Sequence, residues 1–314
     1  MTIILHVHDW DELDWLKNLS GLMPDRNFLS YSQIENDIQA DYAILWKPPT
    51  QLFEKIDGLK AIFSLGAGVD HIVNVAGFPK DVPLVRVVDK DLTNRMSEYV
   101  VFHCLRYLRQ HSLLNQQQTN KIWHKDYQPS ANEVRVGVLG LGELGLDAAQ
   151  KLGVMGFNVL GWSRSEKSID GVKCFHGPDG LDTMLAQTDI LVSLLPLTPQ
   201  TDGLLDYELF AKLPTNGALG GPYLINVGRG QSQREAGILK ALDDGTLAGA
   251  TLDVFEVEPL PTTSKLWTHP NVTITPHNGA DSSPRAICQN IADQIARFEA
   301  GLLLENVVSI DRGY

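Results

Sequence analysis

Short apolar runs alternate with amphipathic segments along the first part of this chain. The apolar runs predict strands at Thr2–Val7, Tyr42–Trp46, Ala61–Leu65 and Leu84–Val88. Leucines at helical spacing predict a helix over Asp9–Leu22, with Asp9 as its N-cap. This alternation is typical of β-α units that build a parallel sheet.

The pattern changes at Asn94, where a longer apolar stripe predicts a single helix over Asn94–Leu114, followed by a looser polar stretch over 115–133. A second series of β-α units then begins with a strand at Val134–Leu139 and a helix that reaches Gly156. Further strands are predicted at Phe157–Trp162, Ile190–Leu194, Tyr223–Val227, Ala248–Asp253 and Val272–Thr275, and further helices at Asp182–Gln187, Glu208–Lys212 and Glu235–Asp244. A last helix over Pro284–Leu304 is expected to return to the first unit.

The predicted fold class is therefore α/β, with two Rossmann-like, doubly wound parallel-sheet domains and a cleft between them. A complete β-α series precedes the glycine-rich turn at Gly140, which normally opens a dinucleotide domain. We expect residues 1–95 plus 287–314 to form a flavodoxin-like, substrate-binding domain. Residues 96–286 are expected to form the NAD(P)-binding Rossmann domain.

Composition and charge exclude several classes of partner. The chain has 314 residues, 43% of them hydrophobic, with 26 Lys+Arg against 38 Asp+Glu and a net charge of −12. Proteins that bind nucleic acid or anionic membrane surfaces carry basic patches, so this balance argues against both. An anionic substrate would have to be bound by a local positive site.

The three cysteines, Cys104, Cys174 and Cys288, are far apart and odd in number, which argues for a reducing compartment. No apolar run reaches the roughly 20 residues that a membrane helix needs, and the amino-terminal segment shows no signal-peptide pattern. The expected location is the cytoplasm. His6 and His8 share one face of a strand without a third ligand, so we expect no metal.

A glycine-rich turn lies between a predicted strand and a predicted helix. Gly140 would permit the tight turn, Gly142 would let the backbone approach a pyrophosphate, and Gly145 would let helix and strand pack closely. The helix N-terminus would present backbone N–H groups to the phosphates. The context predicts a dinucleotide cofactor.

The end of the next strand indicates which cofactor is preferred. An acid that binds the ribose 2′-hydroxyl is expected about 20 residues beyond the first glycine. Here the residue at 163 − 140 = 23 is Ser163, followed by Arg164 and Ser165. A guanidinium and two hydroxyls suit a 2′-phosphate, so NADP(H) is the predicted cofactor, with NAD(H) possible if Arg164 is only a solvated surface charge.

Three polar residues in the last third each follow a predicted strand: Arg229, Glu258 and His277. Ligands of open α/β sheets bind at the carboxyl ends of strands, so the three are expected to converge. Arg229 can hold the carboxylate of a 2-keto acid and polarise its carbonyl. As hydride reaches C2, His277 can protonate the new alkoxide, while Glu258 orients the imidazolium and stabilises it.

Several motifs together resemble the D-2-hydroxyacid dehydrogenase family. These are Gly140-x-Gly-x-x-Gly, Asn226-Val-Gly-Arg229-Gly, Leu252-Asp253-Val-Phe-x-x-Glu258-Pro-Leu-Pro and Thr275-Pro-His277. Within that family, other stretches are similar to the glyoxylate/hydroxypyruvate reductase A branch: Trp46-Lys-Pro-Pro49, Ser64-Leu-Gly-Ala-Gly-Val-Asp-His71, Met96-Ser-Glu-Tyr99, Gly161-Trp-Ser-Arg164 and Asp311-Arg-Gly-Tyr314. The resemblance covers essentially the whole chain.

The resemblance implies a catalytic set of Arg229, Glu258 and His277 and a homodimer joined mainly through the cofactor domains. It implies that the backbone amides of Ala67 and Gly68 hold the substrate carboxylate and that Trp46 lines the pocket. Asp253 is expected to contact the nicotinamide carboxamide. The predicted cofactor-binding residues are Gly140, Leu141, Gly142, Glu143, Leu144, Gly145, Ser163, Arg164, Ser165, Pro196, Val227 and Asp253.

The leading hypothesis is NADPH-dependent reduction of small 2-keto acids, glyoxylate to glycolate and hydroxypyruvate to D-glycerate. Two alternatives stay open: a reductase of a different or bulkier 2-keto acid, and a non-enzymatic NAD(P)-sensing scaffold. The chain departs from the branch at Asn278-Gly279, where small apolar residues are usual, and at Gly237, which replaces an acid. The stretch 215–222 is longer than usual and predicts an altered loop near the cofactor.

Overall fold

The computed structural model describes residues 1–8, 10–281 and 283–310. Within them, the strands are β1 (Thr2–Val7), β2 (Asn27–Ser30), β3 (Ile38–Gln39), β4 (Tyr42–Trp46), β5 (Ile56–Asp57), β6 (Ala61–Ser64), β7 (Leu84–Val85), β8 (Arg135–Leu139), β9 (Asn158–Ser163), β10 (Lys173–His176), β11 (Ile190–Ser193), β12 (Tyr223–Asn226), β13 (Gly249–Leu252) and β14 (Val272–Ile274). The helices are α1 (Glu12–Leu22), α2 (Asp70–Val73), α3 (Lys90–Leu108), α4 (His111–Thr119), α5 (Glu143–Val154), α6 (Gly177–Leu185), α7 (Tyr207–Phe210), α8 (Glu235–Asp243) and α9 (Pro284–Glu299).

The chain divides into two units, Met1–Leu92 with Ser282–Tyr314 and Thr93–Asp281. The first unit contains a five-stranded sheet in the order β2-β1-β4-β6-β7, and every pairing is parallel. The short strands β3 and β5, which lie between β2 and β6 in the sequence, form a separate two-stranded parallel sheet. Helix α9 belongs to this unit and packs against α1, so the last helix returns to the first unit, as its spacing predicts.

The second unit contains a seven-stranded parallel sheet in the order β10-β9-β8-β11-β12-β13-β14. The chain runs outward from β8 to β10, then returns to β11 and continues to the other edge. The order therefore reverses between β8 and β11, which is where doubly wound sheets bind ligands. Both units have the predicted doubly wound parallel sheet.

Each sheet is covered on both faces. In β8, Val136 and Val138 pack into one apolar cluster while Leu139 packs into another, because successive side chains of a strand point to opposite faces. In β1, Ile3 and Leu5 likewise pack into one apolar cluster, and Ile4 packs into another on the opposite face. Sheets buried on both faces explain the nearly continuous apolar runs in the sequence.

Several predicted helices differ from the observed ones: α6 begins at Gly177 and not at Asp182, and α9 ends at Glu299 and not at Leu304. Helix α1 begins at Glu12, because the Asp11 side chain accepts the backbone N–H of Leu13 and caps it. The predicted N-cap, Asp9, lies outside the described residues, as does the motif at 311–314. The single helix over Asn94–Leu114 is wrong: α3 and α4 are separated at Gln110, whose φ is +51°. The buried stripe ends at Leu108, so packing no longer holds the chain in one helix.

The sequence patterns also failed to predict β2 and β10, which are two of the four outer strands of the larger sheets. Each is an edge strand with an exposed first residue and little buried apolar surface, so neither produces a clear strand pattern. The predicted strand at Leu84–Val88 is shorter in the structure, where β7 ends at Val85. Among the described residues, no helix is both long and apolar enough to cross a membrane.

Candidate active site

The predicted cofactor and catalytic residues of the second unit all end or follow strands of its sheet. The glycine-rich turn follows β8, residues 163–165 end or follow β9, Pro196 follows β11, Val227 and Arg229 follow β12, Asp253 and Glu258 follow β13, and His277 follows β14. Because all seven strands are parallel, these positions lie at the same end of the sheet, just beyond the carboxyl termini of its strands. We call this end the carboxyl edge; it is distinct from the outer strands of the sheet. The structure thus brings the candidate residues, which are spread over positions 140 to 277 of the sequence, to one end of the second unit's sheet.

Each glycine of the turn after β8 has its own physical reason. Gly140 has φ +95°, and a Cβ there would lie 2.9 Å from the carbonyl oxygen of Leu194. A Cβ on Gly145 would lie 1.8 Å from the carbonyl oxygen of Gly140, so only glycine permits this packing. Around Gly142, the N-cap of α5, a Cβ would meet no protein atom within 4 Å. The absence of a protein neighbour there fits a backbone that a pyrophosphate approaches.

The segment after β9 carries the predicted 2′-phosphate group. The Ser163 hydroxyl is buried and donates to the Ser165 carbonyl at 2.7 Å, so it shapes the turn. Arg164 and Ser165 are exposed. Lys167 was not singled out from the sequence, yet its Nζ donates to the carbonyl oxygen of Leu141. This contact places the Lys167 ammonium against the glycine-rich turn.

The turn that carries Arg229 is held by close backbone packing. A Cβ on Gly228 would lie 2.6 Å from the Leu195 carbonyl oxygen, and one on Gly230 would lie 1.7 Å from that of Phe255. These contacts explain why glycines flank Arg229 in the motif. The half-buried Arg229 directs Nη1 to the Gly228 carbonyl oxygen at 2.8 Å.

Two fully buried amides brace the same turn. Asn226 Oδ1 accepts the backbone N–H of Gly228 at 3.1 Å, and its Nδ2 donates to Gln233 Oε1 at 2.8 Å. Gln233 Nε2 donates to the Val254 carbonyl oxygen at 2.9 Å, which ties the turn after β12 to the segment after β13. Asn226 lies in the sequence motif without an assigned role. Gln233 produced no signal, because only the fold brings it to Asn226.

His277 and Glu258 form a direct pair. His277 Nδ1 lies 2.8 Å from Glu258 Oε2, and Glu258 Oε1 accepts the backbone N–H of Phe255 at 3.1 Å. A carboxylate only accepts, so Nδ1 carries the proton and Nε2 is the nitrogen that can exchange a proton with a ligand. The His277 side chain is 40% exposed, which leaves the ring accessible. His277 also has φ +53°, an uncommon conformation for a residue other than glycine.

The Asp253 carboxylate, 2% exposed, anchors the turn on which His277 lies. It accepts the backbone N–H groups of Asn278 and Gly279, each at 3.0 Å. A Cβ on Gly279 would lie 2.9 Å from Asp253 Oδ2 and 3.3 Å from the Tyr99 ring. The departure at Asn278-Gly279 therefore has a structural reason: glycine at 279 lets the turn approach the carboxylate.

The predicted substrate residues of the first unit follow β4 and β6, which are neighbours. Trp46 ends β4, and Ser64 at the end of β6 accepts the N–H of Gly66 and donates to the Gly68 carbonyl, both at 3.2 Å. A Cβ on Gly66 would lie 2.5 Å from the Trp46 ring. Trp46 and the loop at 66–68, which contains Ala67, thus pack together.

Trp10 is a further aromatic residue at this place that the sequence did not indicate. Its ring stacks on Trp46 with centroids 4.7 Å apart and an interplanar angle of 10°. The Trp46 ring also contacts the ring of His71, with centroids 4.5 Å apart in a T-shaped arrangement. Nothing in the sequence joins residues 10, 46 and 71, because no common spacing relates them.

Two other departures from the family pattern are explained by packing. The loop at 215–222, expected near the cofactor, instead precedes β12 and packs through Gly217 against Asp189, which precedes β11. It lies at the amino ends of parallel strands, the edge opposite the glycine-rich turn. In α8, a Cβ on Gly237 would lie 1.8 Å from Asp206 Oδ1, so a side chain there would displace the cap of α7.

Comparison with known proteins identifies a family. The model for the family described as D-isomer specific 2-hydroxyacid dehydrogenase, NAD binding domain, matches residues 101–279. The chain is 41% identical to a glyoxylate/hydroxypyruvate reductase A of Serratia proteamaculans, and the alignment covers all of both chains.

Two solved structures are similar over the whole chain. An NADPH-dependent glyoxylate/hydroxypyruvate reductase of Sinorhizobium meliloti, in complex with NADP and sulfate, is 48% identical with a TM-score of 0.94. A probable 2-hydroxyacid dehydrogenase of Rhizobium etli, in complex with NADP, HEPES and L(+)-tartaric acid, is 49% identical with a TM-score of 0.94. Each comparison covers 100% of this chain and 99% of the other.

Proposed function

This chain belongs to the family of D-isomer specific 2-hydroxyacid dehydrogenases, and from that membership we propose that it reduces glyoxylate to glycolate and hydroxypyruvate to D-glycerate with NADPH. The observation that carries the proposal is the His277–Glu258 pair at the carboxyl edge, 2.8 Å apart and accessible. A proton donor at the same end of the sheet as a glycine-rich turn is what the reduction of a carbonyl by a dinucleotide requires.

NADPH, when bound, supplies the hydride that reaches C2 of the keto acid. His277 then delivers a proton from Nε2 to the carbonyl oxygen, and Glu258 keeps the ring in the orientation that this transfer requires. Arg229 binds the carboxylate and stabilises the charge that develops on the oxygen. In the first unit, the amides of Ala67 and Gly68 are proposed to bind the carboxylate, and Trp46 to contact the remainder of a small substrate.

The proposed cofactor residues are those of the glycine-rich turn, residues 163–165, Pro196, Val227 and Asp253. Gly142 and the first N–H groups of α5 would receive the pyrophosphate, and Arg164 the 2′-phosphate. We add Lys167 to this set because its Nζ lies on the Leu141 carbonyl, within the glycine-rich turn. We also propose a cytoplasmic location, which the free thiols of Cys104, Cys174 and Cys288 support because such thiols are typical of a reducing compartment.

The test is the initial rate of NADPH oxidation with glyoxylate and with hydroxypyruvate, followed by the absorbance of the reduced nicotinamide. Turnover with both acids supports the proposal. Turnover only with larger 2-keto acids would retain the chemistry and overturn the substrate assignment. Binding of NADPH without turnover of any keto acid would favour a nucleotide-sensing scaffold.

Removal of Arg164 should change the cofactor preference. Loss of a charge-assisted hydrogen bond to phosphate costs about 2–3 kcal/mol, so Arg164→Ala should lower kcat/KM for NADPH about 30- to 150-fold and leave kcat/KM for NADH unaffected. Lys167→Ala should lower kcat/KM for NADPH less, about tenfold or about 1.4 kcal/mol, because the Lys167 ammonium already donates to the Leu141 carbonyl. Lys173→Ala, an exposed lysine on the neighbouring strand β10, is the matched control. An unchanged NADPH-to-NADH ratio in Arg164→Ala would contradict the assignment.

A homodimer is proposed through the segment 109–128 of the second unit. Large apolar side chains are exposed along this segment and on the adjoining α3: Phe102, Leu113, Leu114, Ile122, Trp123 and Tyr127. Trp123 is fully exposed, at 104% of its reference area. Several large apolar side chains exposed within one short segment are typical of a protein–protein interface.

Light scattering should therefore report twice the chain mass of 34.7 kDa for the wild type. The double variant Ile122→Asp/Trp123→Asp should be a monomer, because two carboxylates would be buried without partners at the interface. Leu303→Asp, which changes an exposed leucine of the first unit, should remain dimeric. A wild-type monomer, or a dimeric double variant, would overturn this proposal.

A further inference from the structure

A chain of hydroxyl hydrogen bonds connects α3 to the turn that carries His277. The Tyr99 hydroxyl lies 2.7 Å from Thr275 Oγ1, and Thr275 donates to Asp253 Oδ1. The Asp253 carboxylate also accepts the N–H groups of Asn278 and Gly279. The residues on both sides of His277 are therefore tied to one carboxylate.

The direction of each bond follows from the chemistry of the groups. A threonine hydroxyl has one proton, and a carboxylate only accepts, so the Thr275 proton is committed to Asp253. Tyr99 must then be the donor to Thr275. Burial raises the pKa of the Tyr99 phenol, so the hydroxyl keeps the proton that this bond requires.

The backbone at His277 needs such support. Thr275 N–H still bonds Leu252 O at 3.0 Å, in continuation of the ladder between β13 and β14. The N–H of His277 then bonds back to the carbonyl of Thr275 at 3.0 Å, which closes a three-residue turn around Pro276. His277 follows with φ +53°, and such strained residues persist only where their surroundings hold them.

We propose that Tyr99, Thr275 and Asp253 are positioning residues for the proton donor. They hold His277 in its left-handed backbone conformation, from which Nδ1 meets Glu258 and Nε2 is presented to the substrate. This inference rests on the proposed function, in which His277 protonates the alkoxide. Tyr99 and Thr275 are themselves outside the proposed cofactor set and act through the turn, so their removal lowers the rate of turnover far more than the affinity for NADPH.

Tyr99, the first residue of this series of hydrogen bonds, is also packed against a neighbouring ring. The Tyr99 ring packs against the ring of His103, with centroids 4.3 Å apart. Burial lowers the pKa of His103 to about 4, so this neighbour stays neutral near neutral pH and serves as a packing surface. This ring contact helps to orient the phenol hydroxyl toward Thr275.

The experiment compares Tyr99→Phe, Thr275→Val and Thr275→Ser, with kcat, KM and the Kd for NADPH measured for each. Tyr99→Phe keeps the ring and should lower kcat about fivefold, and Thr275→Val, which breaks both bonds, about 30-fold. Thr275→Ser retains the hydroxyl and should stay within about threefold of the wild type. The Kd for NADPH should change by less than about twofold in all three. Wild-type kcat in Thr275→Val, or a Kd that rises as much as kcat falls, would overturn the proposal.

Tyr107→Phe is the matched control. Tyr107 lies on the same helix, and its hydroxyl contacts Thr251 Oγ1 at 2.6 Å, so the variant loses an equivalent tyrosine–threonine bond away from the His277 turn. We expect Tyr107→Phe to lower the melting temperature about as much as Tyr99→Phe does, and to leave kcat unchanged. A kcat loss in Tyr107→Phe equal to that in Tyr99→Phe would assign the effect to general destabilisation.

A second measurement needs no substrate. Hydrogen exchange at the amides of Asn278 and Gly279 reports whether the turn stays bound to Asp253. We expect exchange at both amides to accelerate about tenfold in Thr275→Val and to match the wild type in Tyr107→Phe. Unchanged exchange in Thr275→Val would overturn the proposal that Tyr99, Thr275 and Asp253 hold the turn. If the wild type reduces no keto acid, the proposed function fails, and the exchange rates still decide whether these residues hold the turn.

Discussion

Replacement of His277 by glutamine should lower kcat about 1000-fold while NADPH binds as in the wild type. General acid catalysis contributes typically 10²–10⁴-fold, and glutamine has no proton to give at neutral pH. Glutamine is close to histidine in size and can still donate to Glu258, so the turn should remain folded. The measurement is the initial rate with glyoxylate together with NADPH fluorescence titration.

The control for this prediction lies at the other end of the same strand. His269 precedes β14, as His277 follows it, and His269 also faces a carboxylate, with Nε2 3.6 Å from Asp243 Oδ1. His269→Gln should retain kcat within about twofold, since it lies away from the carboxyl edge. An active His277→Gln enzyme would show that another group supplies the proton, and the assignment of His277 would be wrong.

Replacement of Arg229 by glutamine should lower kcat/KM about 1000-fold, which corresponds to about 4 kcal/mol of transition-state stabilisation. The loss combines the carboxylate contact with the stabilisation of charge on the carbonyl oxygen. Arg229→Lys should recover only part of the activity, because an ammonium cannot form the planar, two-pronged contact of a guanidinium. The measurement is kcat and KM for each variant with both keto acids.

A nearby arginine tests whether the effect is specific. Arg234 lies five positions later, and its Nη2 pairs with Asp202 at 2.9 Å, so its charge is already engaged. Arg234→Gln should keep kcat/KM within about threefold. If Arg229→Gln reduced keto acids as well as Arg234→Gln does, Arg229 would have no part in substrate binding or catalysis.

The fold class, and the placement of the candidate residues at one end of the second sheet, could be predicted from local patterns. Apolar runs report strands that are buried on both faces, and the glycine-rich motif after β8 reports a turn whose steric needs only glycine meets. Arg229, Glu258 and His277 each follow an apolar run, and parallel strands bring their carboxyl ends to one edge. These inferences succeed because each depends on neighbours in the sequence or on the general geometry of a parallel sheet.

Edges and interruptions were less predictable. Strands β2 and β10 lie at sheet edges, where little apolar surface is buried and the pattern is weak. The break at Gln110 depends on where packing against α3 ends, which spacing alone does not show. The loop at 215–222 was expected near the cofactor because of its unusual length, but length does not report which edge of the sheet a loop follows.

The contacts around the candidate site were decided by the tertiary structure. Asp253 meets the amides of 278 and 279, Tyr99 reaches Thr275, and Lys167 reaches the Leu141 carbonyl only after distant segments have packed. Hydrogen bonds require donor and acceptor within about 3 Å at a defined angle, so their partners depend on side-chain conformations that packing selects. The sequence by itself therefore determined which residues lie at the carboxyl edge, and the tertiary structure decided which of them hold His277 in place.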